Sequence, residues 1–273
     1  SGCRSLTEAP VLPATTLASN CYYRMFSGCT SLTKAPELPA TTLSGSCYAS
    51  MFSGCRSLTE APVLPATTLA EGCYSGMFSG CSSLAEAPVV PATTLSFKCY
   101  ESMFSGCKSL TEAPVLPATT LYNSCYISMF TSCTSLTEAP VLPATTLTDS
   151  CYEYMFNGCT SLTKSPELLA TKIARSCYFS MFNDCSSLNE VRCKGPSNIG
   201  ALNSTYHWME GVSATGTFYT NADADWPSGV NGIPTGWTRV NEVAKDDITK
   251  PLTFKATQDG STVKLTKNGS PTG

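Results

Sequence analysis

A repeat of 26 residues organises most of this chain and limits its fold more than any other feature. The 16 cysteines recur with gaps that alternate between 18 and 8 residues until the last one. In one copy, residues 27–43 have the sequence SGCTSLTKAPELPATTL, and Cys47-Tyr48 and Met51-Phe52 complete it. A fixed period of this length is typical of solenoids, in which stacked copies bury a core that no single copy could form alone.

Each copy contains a pattern for one short helix and one short strand. Apolar residues within 21–29 are spaced as on one helix face, and Gly28 lies where a helix end favours positive φ. Residues 32–38 are predicted to form a short strand. The strand should run into extended chain, because Pro36 within it and Pro39 directly after it each lack a backbone N–H donor. We therefore predict an α/β repeat solenoid in which every copy contributes one short helix and one short strand.

The predicted packing distances suggest a curved array. Neighbouring strands lie about 4.8 Å apart, whereas packed helices need about 8–10 Å. Short parallel strands should therefore line the concave face, with short helices on the convex face.

A second level of evidence comes from the run Met-Phe-x-Gly-Cys-x-Ser-Leu at 25–32, 51–58, 77–84 and 103–110. This run resembles the BspA-like (Treponema-type) leucine-rich repeat, and the resemblance covers residues 1 to about 193. The resemblance implies a right-handed leucine-rich-repeat superhelix without catalytic activity. It also implies an extracellular or surface-attached binding protein of Bacteroidetes, with relatives in gut phages. The copies here are longer than the family's usual unit, with an insertion around Ala-Pro-x-Leu-Pro.

The repeat pattern divides the chain into three parts. Residues 1–193 form the predicted solenoid, which starts in the middle of a copy and is expected to belong to a longer protein. Residues 194–240 are predicted to form a β-rich C-terminal cap. Residues 241–273 have the pattern of a linker and a β-hairpin, which is expected to begin a further β module.

Composition and spacing argue against several classes of function. Charged residues make up 14% of the chain and the net charge is −3, which disfavours disorder and a nucleic-acid partner. No apolar run is long enough for membrane insertion. Without a repeated set of acid, base and nucleophile we predict no enzyme, and the single histidine, His207, is interpreted as structural. No cofactor or metal is predicted.

The cysteines allow two interpretations, a disulfide or metal framework and a set of buried thiols. On a helix, Cys21 and Cys29 would lie about 12 Å apart, beyond the reach of a disulfide. Pairing within the Cys29 series is not forbidden by distance alone. The spacing Cys-x(2–4)-Cys, typical of zinc sites, does not occur. We favour small buried side chains with a weak thiol donor.

A row of charged residues accompanies the predicted strands and must face water. It comprises Glu8, Lys34, Glu60, Glu86, Glu112, Glu138, Lys164 and Glu190. Such a row could bind divalent cations or a basic partner, or it could serve only as a solvated face that keeps the array soluble.

Residues that differ between copies flank the predicted helix and supply the candidate partner-binding residues. These are Tyr23, Arg24, Phe97, Lys98, Tyr122, Asn123, Ile127, Tyr154 and Phe179. They predict an adhesin-like recognition module that binds a protein or glycan at the cell surface or outside the cell. The alternatives are unconstrained drift at these positions, a spacer or receptor-binding segment of a phage tail appendage in a virion, and a targeting region attached to an enzyme.

Overall fold

The computed structural model describes residues 2–170, 173–195, 201–221, 224–242, 254–259 and 262–267. The chain divides into two compact units, Ser1–Asn241 and Glu242–Gly273. In the second unit, β5 (Phe254–Asp259) and β6 (Thr262–Lys267) form an antiparallel pair, described by its backbone alone. The linker predicted at the start of 241–273 falls largely outside the described residues.

The first unit is a stack of parallel coils in which each coil is one copy of the repeat. Its named strands are β1 (Lys164–Leu168), β2 (Glu190–Cys193), β3 (Gly216–Asn221) and β4 (Trp237–Glu242), in that order across the sheet. Pairing is parallel from β1 to β2 and from β2 to β3. The predicted solenoid with parallel strand pairing is confirmed.

Earlier copies contain only isolated parallel bridges, such as Thr16 with Thr42 and Lys34 with Glu60, each joining residues 26 positions apart. Proline explains the difference. The two prolines of Ala-Pro-x-Leu-Pro remove backbone donors from every early copy. In the copy that contains β1, Leu169 replaces the second proline directly after the strand, and β2 contains neither proline, so longer strands form there.

The prediction of a short helix in each copy is wrong. Residues 46–55 form consecutive reverse turns instead, in which alternate N–H groups donate to the carbonyl three residues back, as from Met51 to Tyr48 at 3.1 Å. The intervening N–H groups donate to the next coil, as from Phe52 to Met77 at 2.9 Å. In the described residues, the one helical element is the 3-10 helix Ala201–Asn203.

These turns, which we call the turn segments, comprise residues 20–29, 46–55, 72–81, 98–107, 124–133, 150–159, 176–185 and 203–211. Positive φ recurs every fourth residue, at 53° in Ser46, 53° in Ser50 and 75° in Gly54. Positive φ at the position of Gly28 is thus confirmed, but within a series of turns. Backbone hydrogen bonds join neighbouring coils on the turn side as well as on the strand side. The turn side therefore lacks the wider spacing of packed helices, on which the prediction of a curved array was based.

Equivalent side chains stack in columns to form the core. The phenylalanine rings from Phe26 to Phe182 lie 5.6–5.8 Å from their neighbours, and the tyrosine rings from Tyr22 to Tyr178 lie 5.7–6.2 Å apart. Their planes are nearly parallel, tilted by 15° or less, which is offset stacking at these distances. Leucine and methionine columns complete the dry interior.

The cysteines are free thiols, and all except Cys3 and Cys21 are buried. From Cys55 to Cys185, one thiol per coil donates a hydrogen bond to the phenylalanine carbonyl of the preceding coil, at 3.0–3.2 Å. Burial raises the pKa of Cys55 and Cys133 to about 12. The predicted buried thiol with a weak donor is therefore confirmed at these positions.

The stack continues past the last cysteine for one more coil of 27 residues. Glu190 pairs with Thr217, and Gly211 takes the positive-φ position that Asp184 holds in the preceding coil. Two tryptophans then cover the end of the core. Trp208 stacks on Trp226 at 5.1 Å and donates its indole N–H to the Gly232 carbonyl at 2.9 Å.

Candidate functional site

All nine candidate residues lie in the turn segments or immediately before them. Two tyrosines are the most exposed of the aromatic candidates, at 49% for Tyr23 and 52% for Tyr122. Arg24 and Asn123 are also exposed, whereas the other candidates are half-buried: Phe97, Lys98, Ile127, Tyr154 and Phe179. The candidates therefore share one side of the coil but differ in how much surface they offer.

The cations among the candidates contact aromatic rings next to them in sequence. The guanidinium of Arg24 lies 5.8 Å from the Tyr23 ring centroid, and the ammonium of Lys98 lies 5.6 Å from that of Phe97. Lys98 also forms an ion pair with Glu101 at 3.1 Å. The two pairs are separated by three coils, about 15 Å at the strand spacing, so they do not form one site.

The structure brings two candidates together with a residue that sequence reasoning missed. Tyr154 and Phe179 meet edge to face at 5.4 Å, and Phe179 stacks on Tyr206 at 5.3 Å with an angle of 28°. We call Tyr154, Phe179 and Tyr206 the aromatic cluster. Tyr206 is 44% exposed, and Tyr154 and Phe179 are half-buried, so the cluster offers partly exposed aromatic surface.

Backbone hydrogen bonds between coils hold the aromatic cluster in place. The Tyr154 N–H donates to the Phe179 carbonyl at 2.9 Å, and the Ser180 N–H donates to the Tyr206 carbonyl at 2.9 Å. Tyr154 adopts φ of 54° and His207 adopts φ of 51°, the same position of their turn segments. The backbone that carries the three rings is thus held by the hydrogen-bond ladder that joins the coils.

His207 adds an imidazole ring to the edge of the aromatic cluster. Its ring meets that of Tyr206 at 4.1 Å, edge to face, and its Nδ1 contacts a carboxylate oxygen of Glu210. The interpretation of His207 as a structural residue did not anticipate this position. A signal was available in the sequence, because Tyr206-His207-Trp208-Met209 aligns with Phe179-Ser180-Met181-Phe182 once one extra residue is allowed.

The aromatic cluster contains side chains of the kinds that make binding contacts. Exposed tyrosine and phenylalanine rings provide apolar faces that stack on a sugar ring or an aliphatic side chain, and they attract cations through their π-systems. The tyrosine hydroxyls add polar contacts at the rim. None of the described segments forms a helix with the length and apolarity needed to cross a bilayer.

Comparison with known proteins supports the repeat assignment. The family model described as the BspA type leucine rich repeat region matches six copies, over residues 1–129 and 100–205. No curated protein and no solved structure matches the chain. The family match extends over most of the chain and ends one residue before Tyr206. The chain therefore belongs to the BspA-type leucine-rich repeat family.

Proposed function

We propose that this chain is a non-catalytic recognition module that binds a protein or glycan partner in an adhesin-like manner. The observation that supports it is the aromatic cluster, in which three rings from successive coils share one exposed surface. A surface or secreted location belongs to the same proposal, because BspA-type repeats are commonly associated with cell surfaces.

Aromatic rings at the surface carry binding energy well, since each supplies a large rigid contact with few rotatable bonds. Tyrosine is enriched among the few hot-spot residues of binding interfaces, and truncating a hot-spot residue costs about 2 kcal/mol or more. Phe179 lies between the two tyrosines and fixes their relative orientation. The candidates at Tyr23, Arg24, Phe97, Lys98, Tyr122, Asn123 and Ile127 would then extend the contact or lie outside it.

The test is a screen of the full chain against an array of defined oligosaccharides and a peptide library, followed by titration of any hit. We expect Tyr154→Ser and Tyr206→Ser each to weaken binding at least tenfold. Val11→Ser is the control, because it truncates an exposed apolar side chain that is not among the candidate residues. Equal losses in all three variants, or no loss in the first two, would contradict the proposal.

A second candidate function is a spacer in a larger assembly such as a phage tail appendage. It is favoured by the backbone hydrogen bonds that join coils on both the turn side and the strand side, since these make a rigid stack. Mass photometry distinguishes the two functions. Regular oligomers that persist in Tyr154→Ser and Tyr206→Ser would favour the spacer, and a monomer with a measurable ligand would favour recognition.

A further inference from the structure

A row of exposed valines runs along the strand side of the solenoid. Val63, Val89, Val115 and Val141, which we call the valine row, are 74–77% exposed, whereas the residue that follows each of them is 2% exposed. Each valine side chain thus points to solvent, and the side chain of the residue after it points into the core. Contiguous exposed apolar surface of this kind commonly marks an interaction site.

At Val63 the valine row lines a depression together with an acidic residue, and further glutamates line the next depression along the stack. At the first coils of the row, Glu60, Ala61, Pro62 and Val63 line one depression together with Lys34 and its neighbours. The next depression along the stack is lined by Glu86 and Glu112, with Ala87 and Ala113 between them and Pro114. The four copies that carry the valine row have alanine at this position, so a partner can approach closely between the two rows.

The second row consists of Glu60, Glu86, Glu112 and Glu138, which we call the glutamate row. Glu60 forms an ion pair with Lys34 at 2.8 Å. Across the part of the chain that the structure describes, no lysine or arginine comes within ion-pair distance of Glu86, Glu112 or Glu138. Neighbouring carboxylates about 5 Å apart repel by about 0.8 kcal/mol in water. A cationic partner relieves this repulsion.

We propose that the groove between the valine row and the glutamate row binds a cationic amphipathic α-helix lying along the stack. A helix advances about 5.4 Å per turn, and neighbouring coils are about 4.8 Å apart. Over the three intervals between the four coils, a residue once per helix turn therefore moves out of register with the coils by less than about 2 Å. In an extended strand, side chains on one face recur every 6.6–6.8 Å, so they move out of register with the coils by more than about 5 Å over the same distance. A helix therefore keeps one basic and one apolar residue opposite each coil.

The width of the groove supports the same partner. Glu60 and Val63 are three residues apart in extended chain, a separation of about 10 Å, which matches the diameter of a helix with its side chains. Basic residues on one stripe of the helix would face the glutamates and apolar residues on the next stripe would cover the valines. A second copy of this chain fits less well, because it carries the same acidic row and a net charge of −3.

The proposal is independent of the aromatic cluster and is tested with a synthetic peptide. The probe is a fluorescein-labelled peptide of 18 residues with lysine once per turn on one stripe and leucine on the adjacent stripe. Its controls are a scrambled peptide of the same composition and a peptide with strict lysine-leucine alternation, which favours a strand. Binding to the full chain is measured by fluorescence anisotropy at 20 and 150 mM salt, with sedimentation velocity in parallel.

We expect the amphipathic peptide to bind at least tenfold more tightly than either control. E112Q/E138Q should weaken binding about fivefold and flatten its salt dependence, because charge pairs near a surface are screened by salt. V89T/V115T should weaken binding about fivefold and leave the salt dependence unchanged. The matched variants Val11→Thr and Glu71→Gln, which alter an exposed valine and an exposed glutamate outside the two rows, should bind as the original chain does.

Three results would overturn the proposal. Equal binding of the scrambled peptide would show charge attraction alone, and tighter binding of the alternating peptide would assign the groove to an extended chain. A dimer that V89T/V115T dissociates would assign the groove to a second copy. Thermal unfolding of each variant within about 2 °C of the original chain confirms that lost binding does not reflect lost folding, since all the substituted side chains face solvent.

Discussion

Replacing Tyr74 by phenylalanine should stabilise the protein. The Tyr74 side chain is 1% exposed, and among the described residues its hydroxyl has no hydrogen-bond partner. A buried polar group without a partner costs about 1–3 kcal/mol, which Tyr74→Phe removes. The ring contacts with Tyr48 and Tyr100, both at 5.9 Å, remain. We therefore expect the free energy of unfolding to rise by about 1–3 kcal/mol.

The effect can be measured and its additivity tested in the same column. Urea unfolding should show a higher midpoint at unchanged slope, and calorimetry should show a rise in Tm of about 2–4 °C per kcal/mol. The Tyr126 hydroxyl is also buried without a partner, and Tyr100 separates its ring from that of Tyr74. The stabilisation in Y74F/Y126F should therefore be the sum of the two single effects.

Tyr22→Phe is the matched control for this series. Tyr22 belongs to the same column but is only half-buried, so removing its hydroxyl should change the unfolding free energy by less than about 0.5 kcal/mol. A loss of stability in Tyr74→Phe would refute the reasoning, because it would mean that the hydroxyl is hydrogen-bonded in solution. An ordered water in the column would be the physical explanation.

Further predictions concern the thiols and the turns. Burial raises the pKa of thiols such as Cys55 and Cys133 to about 12 in the folded chain, so unfolded thiols ionise first. The contribution of these thiols to stability should be constant below about pH 8.5 and fall as the pH rises above it, by up to about 1.4 kcal/mol per pH unit for each such thiol. Urea midpoints at pH 7, 9 and 10 measure this fall, and equal midpoints would contradict it. Ellman's reagent at pH 8 should label only Cys3 and Cys21 in the folded chain and all 16 thiols in denaturant, so rapid labelling of further thiols would contradict the described burial. Ser132→Gly should add about 1 kcal/mol to the free energy of unfolding, because Ser132 adopts φ of 59° at a position where most copies have glycine. A lower free energy of unfolding in urea would show that the serine side chain contributes more than the strained backbone costs.

The stacking of the copies was predictable from the sequence, but the local structure of the turn segments was not. The spacing of apolar residues in 21–29 fits one face of a helix, and it fits turns with a period of four residues equally well. A helix and these turns differ in the acceptor of every second backbone N–H group. In the turns that acceptor is a carbonyl of the next coil, so the local sequence does not determine it. A clue was the recurrence of small residues every fourth position, at Ser46, Ser50 and Gly54.

The aromatic cluster was predictable in part. Tyr154 and Phe179 stood out because copies differ at these positions, and the structure places their rings in contact. Tyr206 was missed for two reasons. Its coil is one residue longer than the others, and the cysteine that marks the register is replaced by Ser204. The valine row escaped attention because a repeated valine beside proline is also what an ordinary strand would contain.

The hydrogen bonds that connect each coil to the next have a consequence for how such a protein changes in length. A coil contacts mainly the coil before it and the coil after it, so stability is approximately a sum over neighbouring pairs. An in-frame gain or loss of 26 codons therefore joins two surfaces that already fit each other. Unequal recombination between nearly identical copies can lengthen or shorten the protein without requiring any new interior to evolve.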